Sequence, residues 1–277
     1  MLGDCTIAFI GSGVMAEAMI AGLLRHELIA AERIIASGPR EERGVELTTR
    51  YGVLHSTDNR KAAHDRDIVV LSAKPQVIGH ILPELHGGIR PGALVLSIAA
   101  GVTVRAITEG LAHPSVVRAM PNTPAQIGQG ITVWYATEQV SEAQLAQTRS
   151  ILGALGEEVH VNQEYYLDMA TALSGTGPAY VLLVMEAMID AGVHLGFSRR
   201  IAEQLVMQTM LGTVLYARQS GRHPATLRNE VTSPGGTSAE ALYHMEKGGL
   251  RTVISRSIWA AYERSVALGK KRDNDPA

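Results

Sequence analysis

The residues best suited to chemistry lie in a short loop that runs into a helix near the C-terminal end of the chain. Residues 233–236, Ser-Pro-Gly-Gly, interrupt an amphipathic turn, and Thr237 begins a new helical pattern. A helix N-terminus presents unpaired backbone N–H groups and the positive end of the helix dipole, which suits a small carboxylate or phosphate. Thr237 and Ser238 add hydroxyl groups beside it. An ordinary helix–helix turn has the same composition, so this segment alone leaves both interpretations open.

A second motif, at the other end of the chain, suits a larger anion. Residues 6–10 form a short apolar run, and residues 11–16, Gly-Ser-Gly-Val-Met-Ala, open an amphipathic helix. In this spacing Gly11 permits a tight turn, Gly13 lets the backbone approach a pyrophosphate, and Ala16 keeps the helix close to the strand. The motif predicts dinucleotide binding, and a glycine-rich turn in another α/β fold is the alternative.

The end of the next predicted strand, residues 33–37, selects the dinucleotide. An NAD enzyme places an acidic residue there to hold the ribose 2′-hydroxyl. This chain has Ser37 and Arg40 instead, and a hydroxyl with a guanidinium suits a 2′-phosphate. Glu41 and Glu42 are expected in the first turn of the following helix. The sequence therefore predicts NADPH (NADP) as cofactor, with NADH as a weaker substitute.

These motifs need a sheet to position them. Residues 1–162 alternate strand and helix patterns, which predicts an α/β fold with an N-terminal Rossmann-type doubly wound sheet. Further strands are predicted at 67–73, 93–98, 115–119, 130–135 and 158–161, with a helix over 141–153. Ligands of such sheets bind beyond the carboxyl ends of the strands. The segments 11–15, 37–40, 73–76 and 99–101 are therefore expected to line one crevice.

From residue 163 to 277 the strand pattern gives way to helices, predicted at 180–195 and 198–219. The first has an apolar arc too wide for one covered face, and few other helices could cover it. We expect a second subunit to cover this apolar surface, which makes residues 163–277 an all-α oligomerisation domain. The alternative is that this helix is a well-buried central helix of a single subunit. The charged residues 270–277 are expected to fray.

The composition excludes several classes of protein. A formal net charge of −2 over 277 residues gives no reason to expect nucleic acid or a membrane as partner. The single cysteine, Cys5, excludes an intrachain disulfide framework and fits a reducing, cytoplasmic setting. No apolar run is long enough for a transmembrane helix, and Asp4 and Glu17 argue against a signal peptide. The ten histidines show no metal-ligand spacing, so no metal is predicted.

Taken together, the motifs resemble those of the pyrroline-5-carboxylate reductase family. The resemblance spans most of the chain, and the residues that carry it are 11–16, 74–76 (Lys-Pro-Gln), 118–124 (Arg-Ala-Met-Pro-Asn-Thr-Pro), 174–180 (Ser-Gly-Thr-Gly-Pro-Ala-Tyr) and 224–246. The last is the family's most specific signature. This chain has Ser238 where the family usually has Thr, which keeps the hydroxyl and loses only a methyl group.

The resemblance implies hydride transfer from NADPH to the C=N carbon of L-1-pyrroline-5-carboxylate, giving L-proline, in a homo-oligomer whose helical domains interlock as a homodimer; a decamer of five dimers is compatible with it. The substrate carboxylate would lie on residues of the signature loop, and Ser238 would hydrogen-bond the ring nitrogen as the catalytic hydroxyl. The implied substrate-binding residues are Ser233, Gly235, Gly236, Thr237 and Ser238. The implied cofactor-binding residues are Gly11, Gly13, Val14, Met15, Ser37, Arg40, Asn59, Ala73, Lys74, Ala99 and Asn122.

Purely structural interpretations of some of these residues stay open. Ser238 could be a solvated helical residue, Lys74 a solvated residue at a strand exit, and Asn122 a helix cap. A hydroxyacid dehydrogenase of the 6-phosphogluconate-dehydrogenase type is disfavoured, because Val181 stands where those enzymes carry a catalytic Lys. A reductase of another cyclic imine acid, such as a six-membered piperideine carboxylate, and a non-catalytic NADP(H) sensor stay open.

Overall fold

The structure is a computed structural model that describes residues 2–273, with side chains through residue 269. Its centre is an eight-stranded sheet of order β3-β2-β1-β4-β5-β6-β7-β8, in which only the β6–β7 pair is antiparallel. This confirms the predicted Rossmann-type, mostly parallel sheet. The strands are β1 Ile7–Ile10, β2 Ile34–Ser37, β3 Leu54–Ser56, β4 Ile68–Leu71, β5 Leu94–Ser97, β6 Val116–Met120, β7 Gly130–Ala136 and β8 Gly156–His160.

The central strands are buried on both faces, and their apolar runs show why. In β1, Ile7 and Phe9 pack into one core with helices on that side of the sheet, while Ala8 and Ile10 pack into a second core on the other side. Side chains alternate between the faces of a strand, so a strand covered on both sides must be apolar throughout. The continuous apolar sequence of β1, β4 and β5 follows from this position.

Twelve α-helices are found in residues 2–273, and local capping residues explain several of their starts. Ser141 forms a capping box with Gln144 at the predicted helix 141–153, and Thr103 and Asp58 cap two other helices. The helices are α1 Val14–Arg25, α2 Glu41–Tyr51, α3 Asn59–Ala63, α4 Pro75–Leu85, α5 Val104–Leu111, α6 Glu142–Gly153, α7 Tyr166–Ala170, α8 Gly177–His194, α9 Arg199–Ser220, α10 Pro224–Glu230, α11 Thr237–Lys247 and α12 Leu250–Asp273.

The strand order creates one switch point. From β1 the chain moves outward through β2 to β3 on one side, then crosses to β4 and β5 on the other. Ligands of open α/β sheets bind where the order reverses, outside the carboxyl ends of the strands. The loop after β1 therefore begins at the binding crevice.

The chain divides into two compact units. One contains the residues up to Thr176 and those from Ala261 onward, and the other contains Gly177–Ala260. The sheet unit includes α7, which packs on β6 and β7, and the end of α12, where the hydroxyl of Ser265 donates to Asp168 Oδ1 at 2.6 Å. The division therefore differs from the predicted boundary at 162/163, which stays a prediction. Residues 274–277 of the predicted frayed end lie outside the described residues.

The helix α8 is exposed in the single chain, since none of its residues is buried. The alternative of a well-buried central helix is therefore wrong. The helical run Tyr166–His194 is also long and apolar enough to cross a membrane by length and composition, and 6% of its apolar 18-residue window is buried. A helix covered by a partner subunit has the same character.

Candidate active site

The turn after β1 requires glycine at Gly11. Its φ is +110°, and a Cβ there would lie 2.4 Å from the backbone nitrogen of Ala73. The Gly11 N–H donates to the carbonyl oxygen of Ser37 at 2.9 Å, and the hydroxyl of Ser72 donates to the Gly11 carbonyl oxygen at 2.7 Å. These contacts bring together the carboxyl ends of β1, β2 and β4, as the sequence predicts.

Gly13 and the first turn of α1 form an open anion seat. Gly13 is the N-terminal flanking residue of α1, and a Cβ added to it would meet nothing within 4 Å. Val14 is exposed and Ala16 is fully buried beneath the turn. The first N–H groups of a helix have no acceptor within the helix, so these amides are available to a pyrophosphate. The position of a Cβ on Gly13 is thus unobstructed, and the pyrophosphate site stays a prediction.

At the end of β2, Arg40 and Ser37 have different environments. Arg40 is exposed at the start of α2, and no described residue forms a hydrogen bond or ion pair with its guanidinium. Ser37 is fully buried, and its hydroxyl donates to Asn59 Oδ1 at 2.8 Å, while Asn59 Nδ2 donates to Glu84 at 2.9 Å. Arg40 can therefore reach an anion. Ser37 is placed to orient Asn59 and does not present its hydroxyl to the crevice.

Three other predicted cofactor residues follow strands. Lys74 is exposed immediately before α4, whereas Ala99 is buried just after β5. Asn122 follows β6, but its side chain makes no capping bond, so the capping alternative is wrong. Its Nδ2 donates to Ser174 O at 3.2 Å and its Oδ1 accepts from the Ile131 N–H at 3.0 Å. Asn122 thus ties two backbone segments together.

Glu17, in the first turn of α1, is the centre of a charge network that sequence reasoning missed. Its carboxylate accepts from Arg43, from Arg50 at 2.6 Å and from the Tyr51 hydroxyl at 2.9 Å. Burial by itself would raise the pKa of Glu17, but hydrogen bonds from Arg43 and Tyr51 hold this pKa below its ordinary value. Nothing in the local sequence signals this network, because the three partners lie 26 to 34 residues after Glu17 in the chain.

The predicted substrate loop belongs to the helical unit and forms a tight turn. Pro234 and Gly235 occupy its centre, Gly235 has φ +68°, and the Gly236 N–H donates to Ser233 O at 3.0 Å. Pro followed by a residue with positive φ is the signature of a type II turn. The Gly236 N–H is therefore engaged by the turn, and its role as a carboxylate donor stays a prediction.

The helix α11 begins directly after the turn, with Gly236 as its N-terminal flanking residue and no side-chain cap. The N–H groups of Thr237 and Ser238 consequently have no acceptor within the helix. Ser238 is half-buried, and its hydroxyl has no hydrogen-bond partner among the described residues. The arrangement offers backbone donors and one unengaged hydroxyl to a small anionic ligand.

No metal centre is visible in the described residues. Among them, no three His, Cys, Asp or Glu side chains lie close enough to hold a metal ion. The expected absence of a metal stays a prediction.

The fold, the two seats and the sequence comparisons define an NADP-dependent oxidoreductase with a Rossmann domain and a helical dimerisation domain. Residues 6–101 match the family described as NADP oxidoreductase coenzyme F420-dependent. Residues 164–268 match the family described as pyrroline-5-carboxylate reductase dimerisation. The helical part is thus a dimerisation domain, as the exposed α8 predicts.

Named relatives match over nearly the whole chain. The pyrroline-5-carboxylate reductase of Synechocystis is 43% identical over 96% of this chain and 98% of its own length. The structure of the Coxiella burnetii pyrroline-5-carboxylate reductase superposes with TM-score 0.88 at 36% identity, covering 96% of this chain and 99% of that one. The Plasmodium falciparum pyrroline carboxylate reductase, solved with NADP bound, gives TM-score 0.88 at 30% identity, covering 96% and 98%. The chain belongs to the pyrroline-5-carboxylate reductase family.

Proposed function

We propose that the protein reduces L-1-pyrroline-5-carboxylate to L-proline with NADPH, the last step of proline biosynthesis. The observation that carries this proposal is the unengaged Ser238 hydroxyl in the first turn of α11, directly after the Ser233–Gly236 turn. A cyclic imine acid presents a carboxylate and a ring nitrogen close together. Helix N–H donors suit the first group, and a hydroxyl beside them suits the second.

The cofactor seat combines the open turn after β1 with a cation after β2. The backbone of Gly13, Val14 and Met15 receives the pyrophosphate, and the exposed Arg40 receives the 2′-phosphate. A guanidinium binds phosphate through paired N–H donors, whereas an Asp or Glu in its place would repel it. Lys74, Ala73 and Ala99 follow β4 and β5 and belong to the nicotinamide end. Asn59, oriented by Ser37, belongs to the ribose end.

The substrate-binding site uses the backbone N–H groups that are not hydrogen-bonded within the turn. The N–H groups of Gly235, Thr237 and Ser238 receive the carboxylate, while Gly236 serves the turn. The hydroxyl of Ser233 lies over Gly236, where a Cβ would be 2.4 Å from its Oγ. In this rotamer the Ser233 side chain therefore covers one side of the turn.

The proposed site residues act mainly by orienting the substrate and the cofactor, and they contribute little acid–base catalysis. Bound NADPH supplies a hydride from nicotinamide C4 to the imine carbon. The Ser238 hydroxyl holds the ring nitrogen on which the proton is retained, and the loop amides fix the carboxylate. Orientation alone can lower such a barrier by several kcal/mol, roughly 7–11 in favourable intramolecular cases. A strong general acid is not required, because a cyclic imine is readily protonated in water.

We also propose how the subunits assemble and where in the cell the enzyme acts. The homodimer forms through the helical domain, residues 163–277, and five dimers can build a decamer. The enzyme acts in the cytoplasm on a small molecule, without nucleic acid or membrane. Support comes from the apolar exposed face of α8 and from the near-neutral charge of the chain.

The test is the loss of NADPH absorbance with L-1-pyrroline-5-carboxylate, with L-proline identified by chiral chromatography. Ser238→Ala is expected to lower kcat/KM about 100-fold, and Ser238→Thr to keep most of it because the hydroxyl is retained. Ser220→Ala, at the end of α9, is the matched control for losing a hydroxyl in the same unit. Rapid turnover of the six-membered piperideine carboxylate and none of the pyrroline would move the assignment to that substrate. NADPH binding without any turnover would favour a sensor.

A further inference from the structure

We infer that Arg43 is a positioning residue for the cofactor loop: its guanidinium fixes the orientation of the Ser12–Gly13 peptide so that the Gly13 N–H points into the pyrophosphate seat. This inference rests on the proposed cofactor site. It assigns to Arg43 a role separate from that of Arg40, which lies three residues earlier and is expected to contact the 2′-phosphate.

The first observation is a direct contact between α2 and the loop. Arg43 Nε donates to the carbonyl oxygen of Ser12 at 3.0 Å. A trans peptide holds its C=O and N–H in opposite directions, and no cis peptide occurs among the described residues. Since the Ser12 oxygen points toward Arg43, the Gly13 N–H must point away from it. Gly13 itself is exposed, its N–H has no acceptor within α1, and a Cβ on Gly13 would meet nothing within 4 Å.

The second observation is that Arg43 is held in place from its other end. Each of its two terminal nitrogens donates to a carboxylate, one to Glu17 and the other to Glu46 at 2.7 Å, and its side chain is only 14% exposed. Glu17 is in turn bound by Arg50 and Tyr51. A guanidinium with a fixed fork geometry loses little further freedom when it binds the Ser12 oxygen.

The third observation is that all three nitrogens of the Arg43 guanidinium already donate to protein acceptors, whereas those of Arg40 donate to none in the described part of the chain. The Nε of Arg43 is bonded to Ser12 and its terminal nitrogens bond two carboxylates. Arg40, in contrast, has no partner among the described residues and is exposed. The two arginines are therefore expected to give different cofactor profiles when they are replaced.

The experiment measures the Kd of NADPH and of NADH by nicotinamide fluorescence in the absence of substrate. Arg43→Ala should raise both Kd values by the same factor, about tenfold, because both cofactors share the pyrophosphate. Arg43→Lys should recover part of the loss. The matched control is Arg50→Ala, which also removes a cation from Glu17 but does not touch the loop, and it should stay within about twofold. Arg40→Ala should raise the Kd of NADPH alone.

Thermal unfolding of each apo variant separates this role from loss of folding, and Arg43→Gln replaces Arg43→Ala if the alanine variant is unfolded. The inference is overturned if Arg43→Ala behaves like Arg50→Ala, or if it weakens NADPH alone as Arg40→Ala is expected to do. If the wild-type protein binds neither cofactor, the proposed function fails together with the inference. If it binds both but turns over no imine, only the proposed function fails.

Discussion

Gly11 and Ala73 approach each other so closely that a Cβ on Gly11 would lie 2.4 Å from the Ala73 backbone nitrogen. This contact joins the carboxyl end of β1 to that of β4, on the two sides of the switch point in the strand order. Gly11 is the first residue after β1 and Ala73 the second after β4, and the contact between them involves backbone atoms. The shape of the crevice therefore depends on the absence of a side chain at residue 11.

Replacement of Gly11 by Ala is expected to destabilise the protein and to abolish cofactor binding. The φ of +110° strains any L side chain, at about 1–3 kcal/mol, and the clash with Ala73 adds a similar overpacking cost. Denaturant unfolding and NADPH titration measure the two effects. Gly153→Ala, at the end of α6 where a Cβ meets nothing within 4 Å, is the control and should leave both nearly unchanged. Equal behaviour of the two variants would contradict the account of the turn.

Thr132 on β7 is a place where the chain can be stabilised. Its hydroxyl is buried and has no hydrogen-bond partner among the described residues. Thr132→Val should therefore raise the free energy of unfolding by about 1 kcal/mol. Thr6→Val is the matched comparison, because the Thr6 hydroxyl donates to Asp67 at 2.8 Å, and it should lower the free energy by about 1–2 kcal/mol. A loss of stability in Thr132→Val would show that this hydroxyl has a partner.

The Glu17 network predicts a pH dependence of stability. The folded-state pKa of Glu17 lies below its ordinary value of 4.5, so its contribution is present above that value and is lost as the pH falls through the folded-state pKa. Glu17→Gln removes the ionisable group and with it this pH-dependent contribution to the free energy of unfolding. Chemical unfolding from neutral pH into acid should show a wild-type advantage that shrinks below about pH 4.5. A difference that stays constant across this range would contradict the assignment.

The exposed face of α8 predicts how the dimer can be broken. Leu183 is 66% exposed in the single chain, although it lies in the segment that matches the dimerisation family. Leu183→Glu should convert the dimer to a monomer by burying an unpaired charge in the interface. Val45→Glu, the same type of change at an exposed apolar residue of α2, should leave the mass unchanged. Sedimentation measures both, and an intact Leu183→Glu dimer would place the interface elsewhere.

Local patterns were sufficient for most of the sheet and for the helix starts. Apolar runs identify β1, β4 and β5 because these strands are covered on both faces. The strand β3 was missed, since its three residues are half-exposed and carry no apolar pattern. It exists because it extends the sheet beside β2, which is a tertiary cause.

The candidate site was predictable in outline and incomplete in detail. The glycine motif and Arg40 follow from residue type and spacing, and their roles in cofactor binding stay predictions. The burial of Ser37 and the engagement of the Gly236 N–H depend on contacts that spacing does not reveal. The same is true of the ion pair between Arg118 and Glu164, 2.7 Å apart, in which Glu164 also accepts from the Val104 N–H.

The most direct test of the account follows the hydride itself. Wild-type protein is supplied with L-1-pyrroline-5-carboxylate and NADPH deuterated at nicotinamide C4 on the transferred face, and the product is analysed by mass spectrometry and NMR. We expect L-proline with one deuterium on the former imine carbon, which is the carbon next to nitrogen that does not carry the carboxylate. Ser238→Ala should give little product. Unlabelled proline, or no proline from protein that binds both NADPH and the imine, would contradict the account.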